Sequence, residues 1–350
     1  MLKEEIFFYL SSQNKKEIQK LYSRANALTE KTIGKKIFLR GLIEFSNICE
    51  KNCFYCGLRK DNTKLSRYCL SKEKMVSLAL WIYNAGFGSI ILQSGEVTDK
   101  KRIDQLIEIV YEIKEKTNNR LGITLCLGEM EKEIYREFFQ AGAHRYLLRI
   151  ETSNPMLYRS IHPENHSFTK RLKCLENLKS IGYQTGTGVM IGLPGQTIED
   201  LTNDILFYKK LDIDMIGMGP YIPQKNTPLA KKKLTCTEQE RLELSLKMVA
   251  LSRLFLVDVN IAATWAMGTL HEKGREMALT VGANVLMPQL TPIKEQGYYL
   301  LYDGKLKKDS LAMSCSNSLE KLFKNIKKKV AVDEWGDPIH FFARQKGTVG

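Results

Sequence analysis

No apolar run in this 350-residue chain approaches the roughly 18 residues needed to cross a bilayer, so no membrane contact is expected. The apolar stretch nearest its start, residues 6–10, is short and follows Glu4 and Glu5. That is no secretory leader, and the protein reads as cytoplasmic. No segment rich in Gly, Ser or Pro divides the chain, and no internal repeat is visible. Cysteine is scarce, at eight residues, which excludes a disulfide scaffold; in a reducing compartment grouped thiols bind metal instead. Aromatics interleaved with basic residues are also missing, as is any groove-reading motif. The formal charge of +14 is therefore read as solvated helix faces, with lysines in short runs at 231–233 and 327–329. Nucleic acid is excluded on this reading, whereas an acidic protein partner attracted by electrostatic steering is not. With 43% apolar and 26% charged residues, the chain has the balance of a globular protein with a sizeable core.

Five cysteines, Cys69, Cys126, Cys174, Cys236 and Cys315, are scattered and read as structural or incidental thiols. The other three stand together in CEKNCFYC as Cys49, Cys53 and Cys56. The spacing Cys-x3-Cys-x2-Cys supplies three thiolates to a cubane iron–sulfur cluster and leaves one iron without a protein ligand. A closed zinc site is the competing reading, with Cys69 as fourth thiolate. Against it, Phe54 and Tyr55 sit inside the ligand loop, where a nucleobase stacking beside a cluster has a use for them and zinc has none. Cys69 also lies in RYCLS, just before a helical pattern, where a small residue is unremarkable.

After a helical segment over about residues 2–33, β-rich runs are expected at 37–46, 89–94, 122–127, 145–151, 184–191, 215–222, 260–266 and 284–290. Helical patterns lie between them at 72–85, 101–115, 131–140, 169–181, 199–211, 238–256 and 273–280, several closing on a glycine. Eight short apolar strands alternating with helices predict an α/β fold, a (β/α)8 TIM-type barrel over residues 36–302. It is preceded by a helical segment (1–35) and followed by a short helical extension (303–350). An open doubly wound sheet is the alternative. In such a barrel chemistry gathers at the C-terminal ends of strands, and the cysteine loop directly follows the first one.

The loop resembles that of the radical S-adenosylmethionine (SAM) enzymes, in which the open iron chelates the amino and carboxylate groups of SAM. On that resemblance QSGE, Gln93, Ser94, Gly95 and Glu96 at the end of the second strand, corresponds to the motif that bonds the SAM ammonium. Taken alone, those four residues are equally an ordinary strand-to-loop turn. In RIETSNP, Glu151 is implied to accept bonds from the ribose hydroxyls, held by Arg149; a plain ion pair is the simpler reading. Arg171, whose guanidinium fork suits a carboxylate, is implied to hold the SAM carboxylate. Backbone atoms from Met190 to Leu193 in GTGVMIGLPGQT are candidates to pack on adenine, with Tyr55 beside them. That glycine-rich stretch lacks the GxGxxG–helix pattern and acidic partner of a dinucleotide site.

FSNICEKNCFYCGLRKDN, QSGE, RYLLRIETSNP, GYQTGTGVMIGLPGQT, MIGMGPYIPQKNTPLA, AMGT and GANVLMP together resemble the HydE group of FeFe-hydrogenase maturases, from about residue 36 to 302. The resemblance implies one 4Fe-4S cluster and SAM as cofactors. It further implies an organometallic substrate, an iron complex carrying CO, cyanide and cysteine, together with other hydrogenase maturases and an electron donor such as ferredoxin or flavodoxin. Met215, Thr264, Tyr299 and Tyr302 are candidates to line the substrate cavity, although Met and Tyr at strand ends also serve as plain core. Two departures stand out. Beyond residue 300 there is only Cys315, so no second cluster is expected. Trp265 stands where the group carries a second threonine beside Thr264; an indole facing inward would narrow the cavity. A mutase or lyase of the PylB kind, acting on a small amino acid or thioether, is the first rival, and a non-catalytic metal-carrying scaffold the second.

Overall fold

Residues 1–305 and 323–347 are described by a computed structural model, and in it the predicted alternation becomes a parallel sheet wrapped by helices. Helices α1 (Lys3–Ser11) and α2 (Lys15–Thr32) come first, α2 held at its start by the Asn14 side chain, which accepts from two backbone N–H groups. Then follow β1 (Lys36–Leu39), β2 (Gly41–Ser46), α3 (Lys72–Asn84), β3 (Ser89–Ser94), α4 (Lys100–Lys116), β4 (Gly122–Cys126), α5 (Lys132–Gln140) and β5 (Arg145–Leu147). Two helices separate this half from the next, α6 (Pro155–Ile161) and α7 (Phe168–Ile181). The second half runs β6 (Gln184–Thr187), β7 (Met190–Ile191), α8 (Ile198–Lys210), β8 (Met215–Ile216), β9 (Gly219–Pro220), α9 (Glu238–Leu256) and β10 (Asn260–Ala263). It ends in α10 (Trp265–Leu270), α11 (Gly274–Thr280), β11 (Val285–Leu286), α12 (Ile293–Gln296), β12 (Lys329–Ala331) and α13 (Ile339–Gly347). Capping boxes start α8 (Thr197 with Asp200) and α9 (Thr237 with Glu240).

The run expected at 37–46 is one strand broken at Arg40, and the break closes the barrel. β2 pairs with β3 on one flank, β1 pairs with β11 on the other, and the same register carries on to Leu42 opposite Gln289. Every ladder in the sheet is parallel, in the order expected of consecutive βα units. The runs expected at 184–191 and 215–222 each split in two, because their upper halves, β7 and β9, leave the main sheet to pair with each other. Close approach at that fork requires Gly188, where a Cβ would lie 2.1 Å from the Gly217 carbonyl oxygen.

The C-terminal extension contributes more than the expected helix. β12 takes the lower flank of β1, and the chain after it crosses the N-terminal mouth of the barrel. There Arg145, with no exposed side-chain surface, donates to the Trp335 carbonyl (2.7 Å) and pairs with Asp337 (2.8 Å). Arg40 and Asn260 both donate to the Gly336 carbonyl. α13 is tied down by His340 between Asp212 and Asp258, and by Arg344 on Asp214. Cys315 lies outside the described residues. Among the described residues no helix is long and apolar enough to cross a membrane. The N-terminal mouth is thus sealed, and the opposite mouth carries the loops that matter for chemistry.

Candidate metal centre

The cysteine loop leaves β2 through Asn47, which is fully buried. Its amide donates to the Ser66 and Tyr298 carbonyls (both 2.8 Å) and accepts from the Tyr68 N–H. The Arg67 guanidinium satisfies the carbonyls of Asn47, Leu58 and Arg59 and so holds the loop's two ends together. Three further backbone bonds pin the ligand-bearing stretch: Glu50 N–H to Glu96 O, Phe54 N–H to Ile161 O, and Gly57 N–H to Leu301 O. The QSGE turn packs directly on this loop. At Gly95 a Cβ would stand 2.2 Å from the Ile48 carbonyl oxygen and 2.6 Å from the Cys49 Cβ, so only glycine fits there.

Burial pushes the Cys53 thiol up to about 12 and raises those of Cys49 and Cys56, so each favours its protonated form. Metal binding must then displace their protons. The three sulfurs are too spread out for one ion. Among the described residues, the metal-capable group whose donor atoms all lie within 4.8 Å of one another is Cys53 with His162 and His166, not the three cysteines. A tetrahedral zinc with ~2.3 Å bonds would draw its thiolates to within about 4 Å of one another. Three separated thiolates around a larger unit is the arrangement a cubane requires. Cys69, the proposed fourth zinc ligand, is exposed.

A cavity of about 300 Å³ opens beside the loop, lined by residues from the C-terminal ends of the strands. On one wall stand Lys51, Glu96 and Arg171, and Glu129 completes with them a box of four charges. Lys51 from the cysteine loop pairs with Glu96 (3.0 Å) and donates to Glu129 (2.9 Å), and Arg171 on α7 forms an ion pair with Glu129 (2.8 Å) and stands 3.9 Å from Glu96. Two cations face two carboxylates there, with burial raising the Glu96 carboxyl. On the adjoining wall, Arg149 pairs with Glu151 (3.0 Å) and donates to the Val189 carbonyl. Glu151 has φ of +66°, a left-handed backbone held by Glu151 N–H to Gly188 O and Met190 N–H to Glu151 O. Its carboxylate is buried, with Oε2 lacking a well-directed hydrogen bond, and the Tyr55 hydroxyl sits 3.5 Å from Oε1.

The remaining candidates divide. Gln93, Ser94, Met190, Thr264, Trp265, Tyr299 and Tyr302 line the cavity. Gln93 bonds the Tyr299 hydroxyl (3.2 Å), and Thr264 donates to the Met218 carbonyl. Trp265 does face the cavity; its indole N–H is fixed on the Met287 carbonyl (2.8 Å), and the Arg275 guanidinium stacks on the ring at 3.9 Å. Met215 does not line it. As the first residue of β8 it lies too deep, its sulfur 3.0 Å from Arg40, and Met287 takes the wall instead. Leu193 sits behind the wall in an apolar cluster with Met190, Ile161 and Tyr221. Cys126, read above as incidental, lines the cavity at the end of β4, paired in register with Gln93. Lys51, Glu129 and the buried Glu44–Lys305 pair were not foreseen either. For Glu129 the signal was available: like the other site residues, it follows a strand end.

Comparison with known proteins agrees with this geometry. Residues 43–208 match the family described as the radical SAM superfamily. The chain is 47% identical over 298 residues, 84% of its length and 83% of the relative's, to the FeFe-hydrogenase maturase subunit HydE of Thermotoga maritima. It is 28% identical to the 3-methylornithine synthase of Methanosarcina acetivorans, over 79% of this chain and 76% of the relative's. Its fold is similar to methylornithine synthase (PylB), with a TM-score of 0.79 at 24% identity, covering 95% and 94% of the two chains. HydG from Carboxydothermus hydrogenoformans matches at 0.78 and 23%, covering 95% of this chain and 76% of the other.

Proposed function

This chain belongs to the radical SAM superfamily and, within it, to the HydE group of FeFe-hydrogenase maturases, and on that premise we propose how its own residues divide the work. It is a radical SAM enzyme whose cofactors are a 4Fe-4S cluster and SAM. Cys49, Cys53 and Cys56 hold the cluster. When bound, it supplies the electron that splits SAM into methionine and a 5′-deoxyadenosyl radical.

The observation that carries this assignment is the four-charge box sharing a cavity wall with the cysteine loop. The methionyl end of SAM is a zwitterion, and a box with two cations and two carboxylates matches it without leaving net charge buried. Glu96 takes the ammonium and Arg171 the carboxylate, while Glu129 and Lys51 hold both in orientation. Glu151, whose second oxygen has no well-directed partner, accepts from the ribose hydroxyls. Met190 and Tyr55 give the adenine an apolar face. The sealed lower mouth and the largely apolar cavity exclude water from the reacting centre.

The substrate of this reading is an iron complex carrying CO, cyanide and cysteine, delivered by a partner maturase. Electrons come from an acidic ferredoxin or flavodoxin drawn to the basic surface. Trp265 narrows the cavity and favours a compact substrate. Identity of 47% against 28% supports the maturase over the amino-acid mutase. The test is anaerobic reconstitution with iron and sulfide, then dithionite and SAM, with chromatography for 5′-deoxyadenosine. Product that vanishes in Cys53→Ala supports the assignment. Protein that carries a full cluster, is free of zinc and still does not cleave SAM refutes it.

A further inference from the structure

His162 and His166 take no part in the function proposed above, yet both crowd one cluster cysteine. They sit in the turn between α6 and α7, spaced His-x3-His, a separation common among zinc-binding histidines. Cys53 Sγ is 3.8 Å from His166 Nδ1, and the donor atoms of all three residues lie within 4.8 Å of one another. Ligands on one tetrahedral zinc stand about 3.5 Å apart, given bonds near 2.1 Å to nitrogen and 2.3 Å to sulfur. These three donors therefore stand close to closure on a single ion.

The surroundings prepare the histidines as ligands. His162 Nδ1 lies 2.8 Å from the Tyr158 carbonyl, which only accepts, so Nδ1 carries the proton and the Nε2 lone pair faces the Tyr55 hydroxyl at 3.3 Å, which an incoming metal ion displaces. A carbonyl behind a ligating imidazole is the usual partner that fixes ring and tautomer at metal sites. The Tyr158 ring stacks on His162 at 3.9 Å and locks its plane. The His166 backbone closes a turn on the Pro163 carbonyl (2.9 Å), setting its ring toward the cysteine.

We infer that Cys53, His162 and His166 form a single-ion site for a divalent metal of the zinc class, with water completing the tetrahedron, in the chain that has no cluster. Only its exclusion of the cluster rests on the assignment made above, since Cys53 cannot serve both. Zinc in this site withdraws one of three cluster ligands and holds the loop closed until the metal is removed.

Zinc binding to cluster-free protein is measured anaerobically by competition with a chromogenic chelator, and cobalt substitution reports the coordination. The parent chain is expected to bind one zinc, and its cobalt form to show tetrahedral bands with a thiolate charge-transfer feature. His166→Gln and His162→Gln should each weaken zinc at least about tenfold, while a Cys49→Ala/Cys56→Ala double variant keeps it. His166→Gln is decisive because the contact of its ring with His162 is a tilted one at 5.6 Å and not a stack; its cluster uptake after reconstitution shows that it folds. Preloaded zinc should delay that uptake in the parent and not in His166→Gln. Zinc held equally by the histidine variants but lost from the double variant would overturn the inference, as would uptake undelayed by zinc. Failure of every chain to cleave SAM would refute the catalytic assignment while leaving the zinc result standing.

Discussion

Replacing Gly95 by alanine sets a methyl carbon 2.2 Å from the Ile48 carbonyl oxygen, about 1.2 Å inside ordinary contact, and 2.6 Å from the Cys49 Cβ. Both obstacles belong to the backbone or its first side-chain carbon, so no rotamer change relieves them. One of two bodies must move. The turn after β3 continues a strand paired on both flanks, whereas the cysteine loop lies outside the sheet and is the body that yields first. Overpacking of this kind costs on the order of 2 kcal/mol. If that strain is relieved by the loop leaving its ligating arrangement, the competent fraction falls about thirtyfold and apparent cluster affinity falls with it. Global stability should change little, since the barrel core is untouched. The assay is iron and sulfide per chain after reconstitution and gel filtration, with thermal melts of the cluster-free protein as control. A Gly95→Ala chain that retains a full cluster at the parent's melting temperature would refute the reasoning.

Glu129→Ala removes the anchor shared by Lys51 and Arg171; SAM retention on the reconstituted protein should fall about tenfold, as loss of ~1.4 kcal/mol from a charge-assisted bond predicts, with iron content unchanged. Equal or tighter SAM binding by equilibrium dialysis would contradict the role given to the box. Asp337→Ala leaves the buried Arg145 guanidinium without its carboxylate and should cost about 3 kcal/mol in urea unfolding; an unmoved midpoint would show that the plug contributes nothing. Bonds to Asp258 and Asp212 raise the His340 imidazole above its ordinary 6.5. Its contribution is therefore fully present below pH 6.5 and fades as pH climbs through the raised value. The stability difference between the parent and His340→Gln should be larger at pH 5.5 than at pH 9, and a difference that grows with pH would reverse the sign.

What the sequence made legible was whatever depends on local spacing. Eight strands, the cysteine loop and the residues just past strand ends follow from periodicity and from barrel chemistry; Arg171, inside a helix, was singled out by family resemblance alone, and it lines the same cavity as Arg149 and Glu151. Depth along a strand was not legible. Met215 and Met287 flank strands of the same barrel, yet the break at Arg40 and the forked β7–β9 pair decide which of them reaches the cavity. Partnerships across long separations were hidden too: Lys51 finds Glu129 across 78 positions, and Arg145 finds Asp337 across 192. The place of Cys126 on the cavity wall was hidden because alternation names two faces without saying which is inward.

The break at Arg40 gives one continuous strand two different ages during folding. Its upper half meets β3 across about fifty residues, Gly41 opposite Ile90, a contact cheap in chain entropy and available early. Its lower half must wait for Val285 and then Lys329, nearly three hundred residues downstream of Lys36. Until those arrive, β1 presents unpaired backbone on both flanks. The seam where the barrel closes is thus also where the newly made chain stays adhesive longest.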